Sequence, residues 1–156
     1  TNIELSAVEP DAFFYKTAYR FPVDKVEPGS AVPPEKMGPM TVMPVKSLIG
    51  SHESGASVVP GKSEVVGVAW SGGHGVKSVE VSLDGGSSWR AARLEGPPTT
   101  YGFRVFRLAW DAQPGRHRIG ARARDNAGTV QPDQPAWNPS GYLFNAVDWV
   151  DVEVRA

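Results

Sequence analysis

VKSVEVSLDGGSSWRAARL, residues Val76–Leu94, decides how the rest of the chain is read. Its first half alternates. Val79, Val81 and Leu83 fall on one side of an extended chain, and Ser78, Glu80 and Ser82 fall on the other. A period of two marks a strand with one buried and one wet face. Asp84-Gly85-Gly86 then breaks the pattern. Glycine supplies the positive φ of a tight hairpin without a Cβ clash, and the Asp84 carboxylate can accept from N–H groups of its own turn. Trp89 opens the returning strand, near enough to lay its ring over the turn. The stretch reads as a β-hairpin, with Asp84, Gly85, Gly86 and Trp89 as its structural turn.

The same texture extends in both directions from Pro44 onward. Strands are expected at Ser63–Trp70, Val76–Leu83, Trp89–Leu94, Phe103–Trp110, Arg116–Asp125 and Val147–Val154. Turn-forming runs separate them: SGGHG, DGGSS, EGPPTT, DAQPG and DNAG. In the last strand Val150, Val152 and Val154 alternate with Asp151, Glu153 and Arg155. No helical periodicity of comparable strength appears. Short alternating strands at this spacing predict an all-β fold, an immunoglobulin-like antiparallel β-sandwich over 44–156. Residues 1–43 differ. Phe13, Phe14, Tyr15, Tyr19 and Phe21 cluster ahead of a Pro/Gly-rich run, VEPGSAVPPEKMGPM. Ile3–Leu5 reads as a short strand and Val26–Met40 as an extended connector stiffened towards polyproline II. The expected extension is irregular, and its aromatics need a surface to pack on.

Composition excludes several classes of function. The 156 residues carry a net charge of -1, so no basic face for nucleic acid is expected. No apolar run approaches the roughly 20 residues that span a bilayer. The opening TNIELSAVEP has no initiator Met, charged n-region or apolar h-region, and reads as a processed or cleaved product rather than an intact precursor. Cysteine is absent. The chain therefore offers no disulfide, thiolate nucleophile, iron–sulfur cluster or soft metal ligand. His52, His74 and His117 are scattered, without the spacing of a metal pair. No catalytic, cofactor-binding or metal-binding residue is expected within the chain.

Other features read as structural. Ser82-x-Asp84-x-Gly86-x-Ser88-Trp89 matches the Asp-box of sialidase propellers, but a propeller repeats its motif every 40–50 residues or so, and here it occurs once. A retaining glycosidase would also need paired carboxylates in a pocket. The Gly72-Gly73-His74-Gly75 loop lacks the following helix of a phosphate cradle. Arg116, Arg118, Arg122 and Arg124 share one strand face. They suit either an acidic electron-transfer partner or a solvated face with cross-strand acids such as Glu80. Trp70 and Trp89 are expected in the core. Trp110, Trp137 and Trp149 are assigned to the core or to a subunit contact.

The hairpin belongs to a longer ordered set: AWSGG (Ala69–Gly73), the VEVSLDGGSSW of Val79–Trp89, DNAGTVQP (Asp125–Pro132), and PAWNPSG (Pro135–Gly141) with Asn145. In order and spacing these motifs resemble the C-terminal domain of the sulfite oxidase and sulfite dehydrogenase family of molybdenum enzymes. LIGSHESG (Leu48–Gly55) sits where that family enters the domain. TNIELSAVEPDAFFYKTAYR looks like the last strand and exit segment of the preceding catalytic domain.

The resemblance implies a non-catalytic homodimerisation domain. A missing catalytic domain would hold the molybdenum-pterin cofactor through a cysteine thiolate. The parent enzyme would oxidise sulfite or a related small oxyanion and pass electrons to a cytochrome or other acceptor. Export, as to the periplasm, fits a bacterial member of the family. The resemblance also sets Trp137, Asn138, Ser140 and Gly141 at the edge of the parent's substrate pocket. Many family members carry an arginine where this chain has Ser140, and a planar guanidinium fork suits a sulfur oxyanion. Ser140 offers one hydrogen bond and no charge. The rival reading, from exposed aromatics on a β fold, is a free-standing sandwich that binds carbohydrate or protein.

Overall fold

The computed structural model describes residues 3–8 and 11–155. The chain divides into two compact units, one of Thr1–Thr41 with Ala136–Phe144 and one of Val42–Pro135 with Asn145–Ala156.

The larger unit is a sandwich of two sheets. Its strands are β3 (Lys46–Ile49), β4 (Ser57–Val58), β5 (Gly61–Trp70), β6 (Val76–Ser82), β7 (Arg90–Ala91), β8 (Arg93–Leu94), β9 (Phe103–Ala112), β10 (Gly115–Asp125) and β11 (Trp149–Val154). One sheet runs β4-β11-β10-β6-β7 and the other β3-β5-β9-β8. All pairs are antiparallel except β11 with β4, a two-residue parallel edge. The fold is the expected all-β, immunoglobulin-like sandwich.

Alternation decides what lies between the sheets. Val65 and Ala69 from β5, with Phe106, Leu108, Trp110 and Ala112 from β9, face Val79, Val81, Ile119, Ala121, Ala123, Val152 and Val154 from the opposite sheet. Burying a side chain of valine or phenylalanine size contributes about 1.5–3 kcal/mol. Gly67 admits the Phe106 ring: a Cβ there would meet Phe106 Cζ at 2.4 Å.

Polar side chains are buried beside this core as well. Gln131 is 2 % exposed. Its Oε1 accepts from Ser47 N (2.8 Å), Ser47 Oγ (2.7 Å) and Ala123 N (3.1 Å), and its Nε2 donates to the Ala146 carbonyl at 3.0 Å. Ser47 lies on β3 and Ala123 on β10, so this side chain ties one sheet to the other.

Several expectations are corrected. Trp89–Leu94 is not one strand. The chain changes sheets at Ala92, so that β7 pairs with β6 and β8 pairs with β9. Trp70 and Trp89 are not core residues. Both are half-buried on outer faces, and Trp110, 5 % exposed, is the tryptophan inside. The final strand starts at Trp149 instead of Val147.

The smaller unit contains α1 (Phe13–Lys16), β1 (Arg20–Pro22), a 3-10 turn at Pro34–Lys36 and β2 (Met37–Pro39). Ile3–Leu5 forms no strand. Val26–Met40 is not extended throughout: its end folds back so that β2 pairs with β1 in the register Phe21↔Gly38. Ile3, Leu5, Phe13, Phe14 and Tyr19 are exposed.

Candidate functional site

The Asp84 turn is a closed hydrogen-bond cage. Asp84 Oδ1 accepts from Ser82 Oγ (2.8 Å) and Ser88 N (2.9 Å), and Oδ2 accepts from Ser88 Oγ at 2.6 Å. Ser82 Oγ in turn accepts from Gly86 N at 2.8 Å. Gly85 and Gly86 have φ of 69° and 96°. Gly85 N donates to the Arg118 carbonyl at 2.9 Å, tethering the turn to β10. Hydrogen bonds from Ser88, then from Ser82, hold the Asp84 carboxyl down at about 2. An acid so stabilised as its anion is a poor proton donor or acceptor near neutrality.

Beside the turn, the outer face of the five-stranded sheet stacks guanidinium on indole. Arg122 lies 4.1 Å from the Trp89 ring and Arg118 lies 5.4 Å from the Trp149 ring, while the two indoles are 5.9 Å apart. Arg122 also pairs with Glu80 at 2.9 Å. The cross-strand acid anticipated for the arginine stripe is present, so its charge is partly answered within the sheet.

In the smaller unit, Asn138 is 6 % exposed and organises the Trp137–Gly141 turn. Its Oδ1 accepts from Ser140 N (3.2 Å) and Tyr142 N (2.9 Å), and its Nδ2 donates to the Tyr142 carbonyl at 2.9 Å. Gly141 and Leu143 take positive φ, 68° and 57°. Ser140 is left exposed at the tip, and Trp137 is half-buried. The two sets of candidate residues thus form separate turns, each explained by its own backbone.

The histidines form no ligand set. His117 and His52 flank Trp110, with ring centroids 5.1 and 6.4 Å away, and burial lowers the His52 pKa. No cluster of three His, Cys, Asp or Glu suited to a metal occurs among the described residues. No described helix is long and apolar enough to cross a membrane.

One surface escaped the sequence reading. On the outer side of the four-stranded sheet, Leu48, Val68 and Val105 form a cross-strand row, and Trp70 and Phe103 stand opposite each other in the next. Phe103 is 64 % exposed, and the other four are half-buried. The signal was available: VVGVAW (Val65–Trp70) is apolar at every position, as in a strand whose two faces are both to be covered.

Comparison with known proteins places these features in a family. Residues 38–156 match the family model described as the Mo-co oxidoreductase dimerisation domain. The chain is 39% identical to sulfite oxidase of Gallus gallus over 112 residues, covering 67% of this chain and 24% of that protein. It is 37% identical to the mitochondrial sulfite oxidase of Homo sapiens over 121 residues, covering 72% of this chain and 22% of that one. It therefore spans about a quarter of the length of these curated relatives. Among solved structures it resembles the sulfane dehydrogenase SoxCD of Paracoccus pantotrophus. The TM-score is 0.73 at 26% identity, over 91% of this chain and 36% of that one. Matched over residues 38–156 by one family model, the chain belongs to the dimerisation domains of the sulfite oxidase-like molybdenum oxidoreductases.

Proposed function

We propose that this chain is the non-catalytic part of a longer molybdenum oxidoreductase and holds two copies of that enzyme together. The observation that carries the reading is the family match over residues 38–156. The chain's own chemistry supports it. With no cysteine to supply a thiolate, and no metal-ligating cluster among the described residues, its residues do not fit a molybdenum-pterin cofactor. That group would be held by the remainder of the longer polypeptide, for which residues 1–43 form the exit segment and connector. Residues 44–156 form the dimerising domain. The exposed Phe13, Phe14 and Tyr19 are the side chains such a neighbouring domain would cover.

The parent enzyme oxidises sulfite or a related small sulfur species and passes electrons to a cytochrome or other acceptor. Trp137, Asn138, Ser140 and Gly141 border its substrate pocket. Because Ser140 carries no charge, any oxyanion must be gripped by other residues. Asp84, Gly85, Gly86 and Trp89 serve as a structural turn and take no part in chemistry. Sedimentation and elemental analysis of the 156-residue chain test the reading. A dimer free of molybdenum is expected; stoichiometric bound molybdenum, or a monomer at millimolar concentration, overturns it.

A further inference from the structure

The two outer faces of the sandwich differ in kind. On the five-stranded sheet, β10 presents Arg116, Arg118, Arg122 and Arg124, and β6 presents Ser78 and Glu80 opposite them. On the four-stranded sheet the outward positions are Leu48, Val66, Val68, Trp70, Phe103 and Val105. None of these belongs to the core cluster or packs against it. They are partly or largely exposed on a face whose reverse side carries the buried Val65, Ala69, Phe106 and Leu108. We infer that this outer face of the four-stranded sheet, centred on Val68, seats a second copy of the same chain. The inference rests on the dimerisation reading above and adds the surface responsible.

Three observations select a second copy as the occupant. The first is area. β5 and β9 are each ten residues long, β3 is four and β8 is two, so a rise of about 3.3 Å per residue and a strand spacing of about 4.8 Å give a face of about 400 Å². Two such faces bury about 800 Å² in total, the size of a small, reversible contact.

The second is charge. The face carries Lys46, Lys62, Arg93 and Arg107 against Glu64, Glu95 and Asp111. Arg107 is already paired with Glu64 at 2.8 Å and Glu95 at 3.1 Å. A two-fold interface brings a patch against itself, so a strongly one-signed face would repel its copy. This one is nearly balanced.

The third is layout. The row Leu48–Val68–Val105 and the pair Trp70–Phe103 form an apolar patch at one end of the face, flanked by Lys46 beside Trp70 and by Arg107, with Glu64, Lys62 and Asp111 further along. An apolar patch bordered by polar groups is the ordinary anatomy of a protein contact.

The test is Val68→Glu in the 156-residue chain, with Ser78→Glu on the other sheet as control. A glutamate at an interface centre would be stranded without water or a partner. The dimer dissociation constant should rise by about 30-fold or more, while Ser78→Glu changes it by less than about 3-fold. Circular dichroism checks that both variants fold. An unchanged dimer in folded Val68→Glu overturns the face and leaves the dimerisation reading standing. A wild-type chain that is monomeric at millimolar concentration overturns both.

A second readout does not depend on tolerance of the charge. The chain has no cysteine, so Val68→Cys and Ser78→Cys each accept a single spin label. Across a Val68-centred two-fold axis, labels at position 68 should lie about 15 Å apart and those at position 78 about 30 Å or more. The reverse order overturns the proposal.

Discussion

At Gly120, β10 passes beneath the Trp149 indole, and a Cβ added there would lie 2.4 Å from Trp149 Cζ3. The close approach, rather than any special φ, requires glycine. Gly120→Val should therefore cost about 2 kcal/mol or more by chemical denaturation, and adding Trp149→Ala should recover part of that loss. Trp110 makes the opposite case. Its Nε1 is buried without a hydrogen-bond partner among the described residues, so Trp110→Phe deletes a group that gains nothing on folding. The loss should stay within about 1.5 kcal/mol, because removing an unsatisfied donor offsets lost volume. Asp84 brings in pH. Its carboxyl is depressed from 3.8 to about 2, chiefly by hydrogen bonds from Ser88 and then Ser82. A group depressed in the folded state stabilises above its unfolded value, and that contribution is lost as pH falls through the folded one. The difference in Tm between wild type and Asp84→Asn should be full above pH 4 and close between pH 4 and pH 2. Scanning calorimetry checks this, and a constant difference across that window would remove the charge of Asp84 from the account.

Among elements, the strands read most easily were those with one wet face. β6 and β10 alternate cleanly, and the sequence places them within a residue of their ends. β7 and β8 were less legible, because nothing local says that Arg90–Ala91 and Arg93–Leu94 pair with different sheets. That division is set by two partners distant in sequence. β3 escaped notice because four residues, KSLI, carry too little periodicity. Its place depends instead on Ser47, whose N and Oγ both donate to Gln131 Oε1. The QP of DNAGTVQP stood out as a motif, but its burial and its sheet-to-sheet role lay in tertiary structure alone. The role has a measurable consequence. Gln131→Ala leaves Ser47 N and Ala123 N buried without their acceptor, at a cost of about 1–3 kcal/mol for each unsatisfied group. A loss of about 3 kcal/mol overall, seen as a shift in denaturation midpoint, is expected. A loss below about 0.5 kcal/mol, the range of ordinary surface changes, would show that the two sheets hold together without this link.

For the whole molecule, an assembly held by an apolar, nearly neutral face should respond to salt and heat differently from one held by the arginine stripe. Salt screens attraction between exposed charges, with a Debye length of about 10 Å at 0.1 M. A dimer built on Arg116, Arg118, Arg122 and Arg124 meeting acidic groups would weaken steeply as sodium chloride rises. The Val68 face presents Leu48, Val105, Trp70 and Phe103 as an apolar patch, and Arg107, one of the two cations flanking it, is already paired within its own chain with Glu64 and Glu95. Raising the salt from 0.05 to 0.5 M should therefore change the dimer dissociation constant by less than about 3-fold. Heat supplies the complementary sign. Exposing apolar area raises heat capacity, so dilution calorimetry between 10 and 35 °C should give a positive heat-capacity change of dissociation. For about 800 Å² of mostly apolar contact it should be about 0.15 kcal/mol/K. A dissociation constant rising tenfold or more with salt, together with a heat-capacity change near zero, would move the contact from the valine face to the arginine face. The sequence already held the ground for this choice, since VVGVAW is apolar on both sides of its strand while RHRIGARARD is charged on one. Which of the two faces stays uncovered emerged only once pairing had fixed their neighbours.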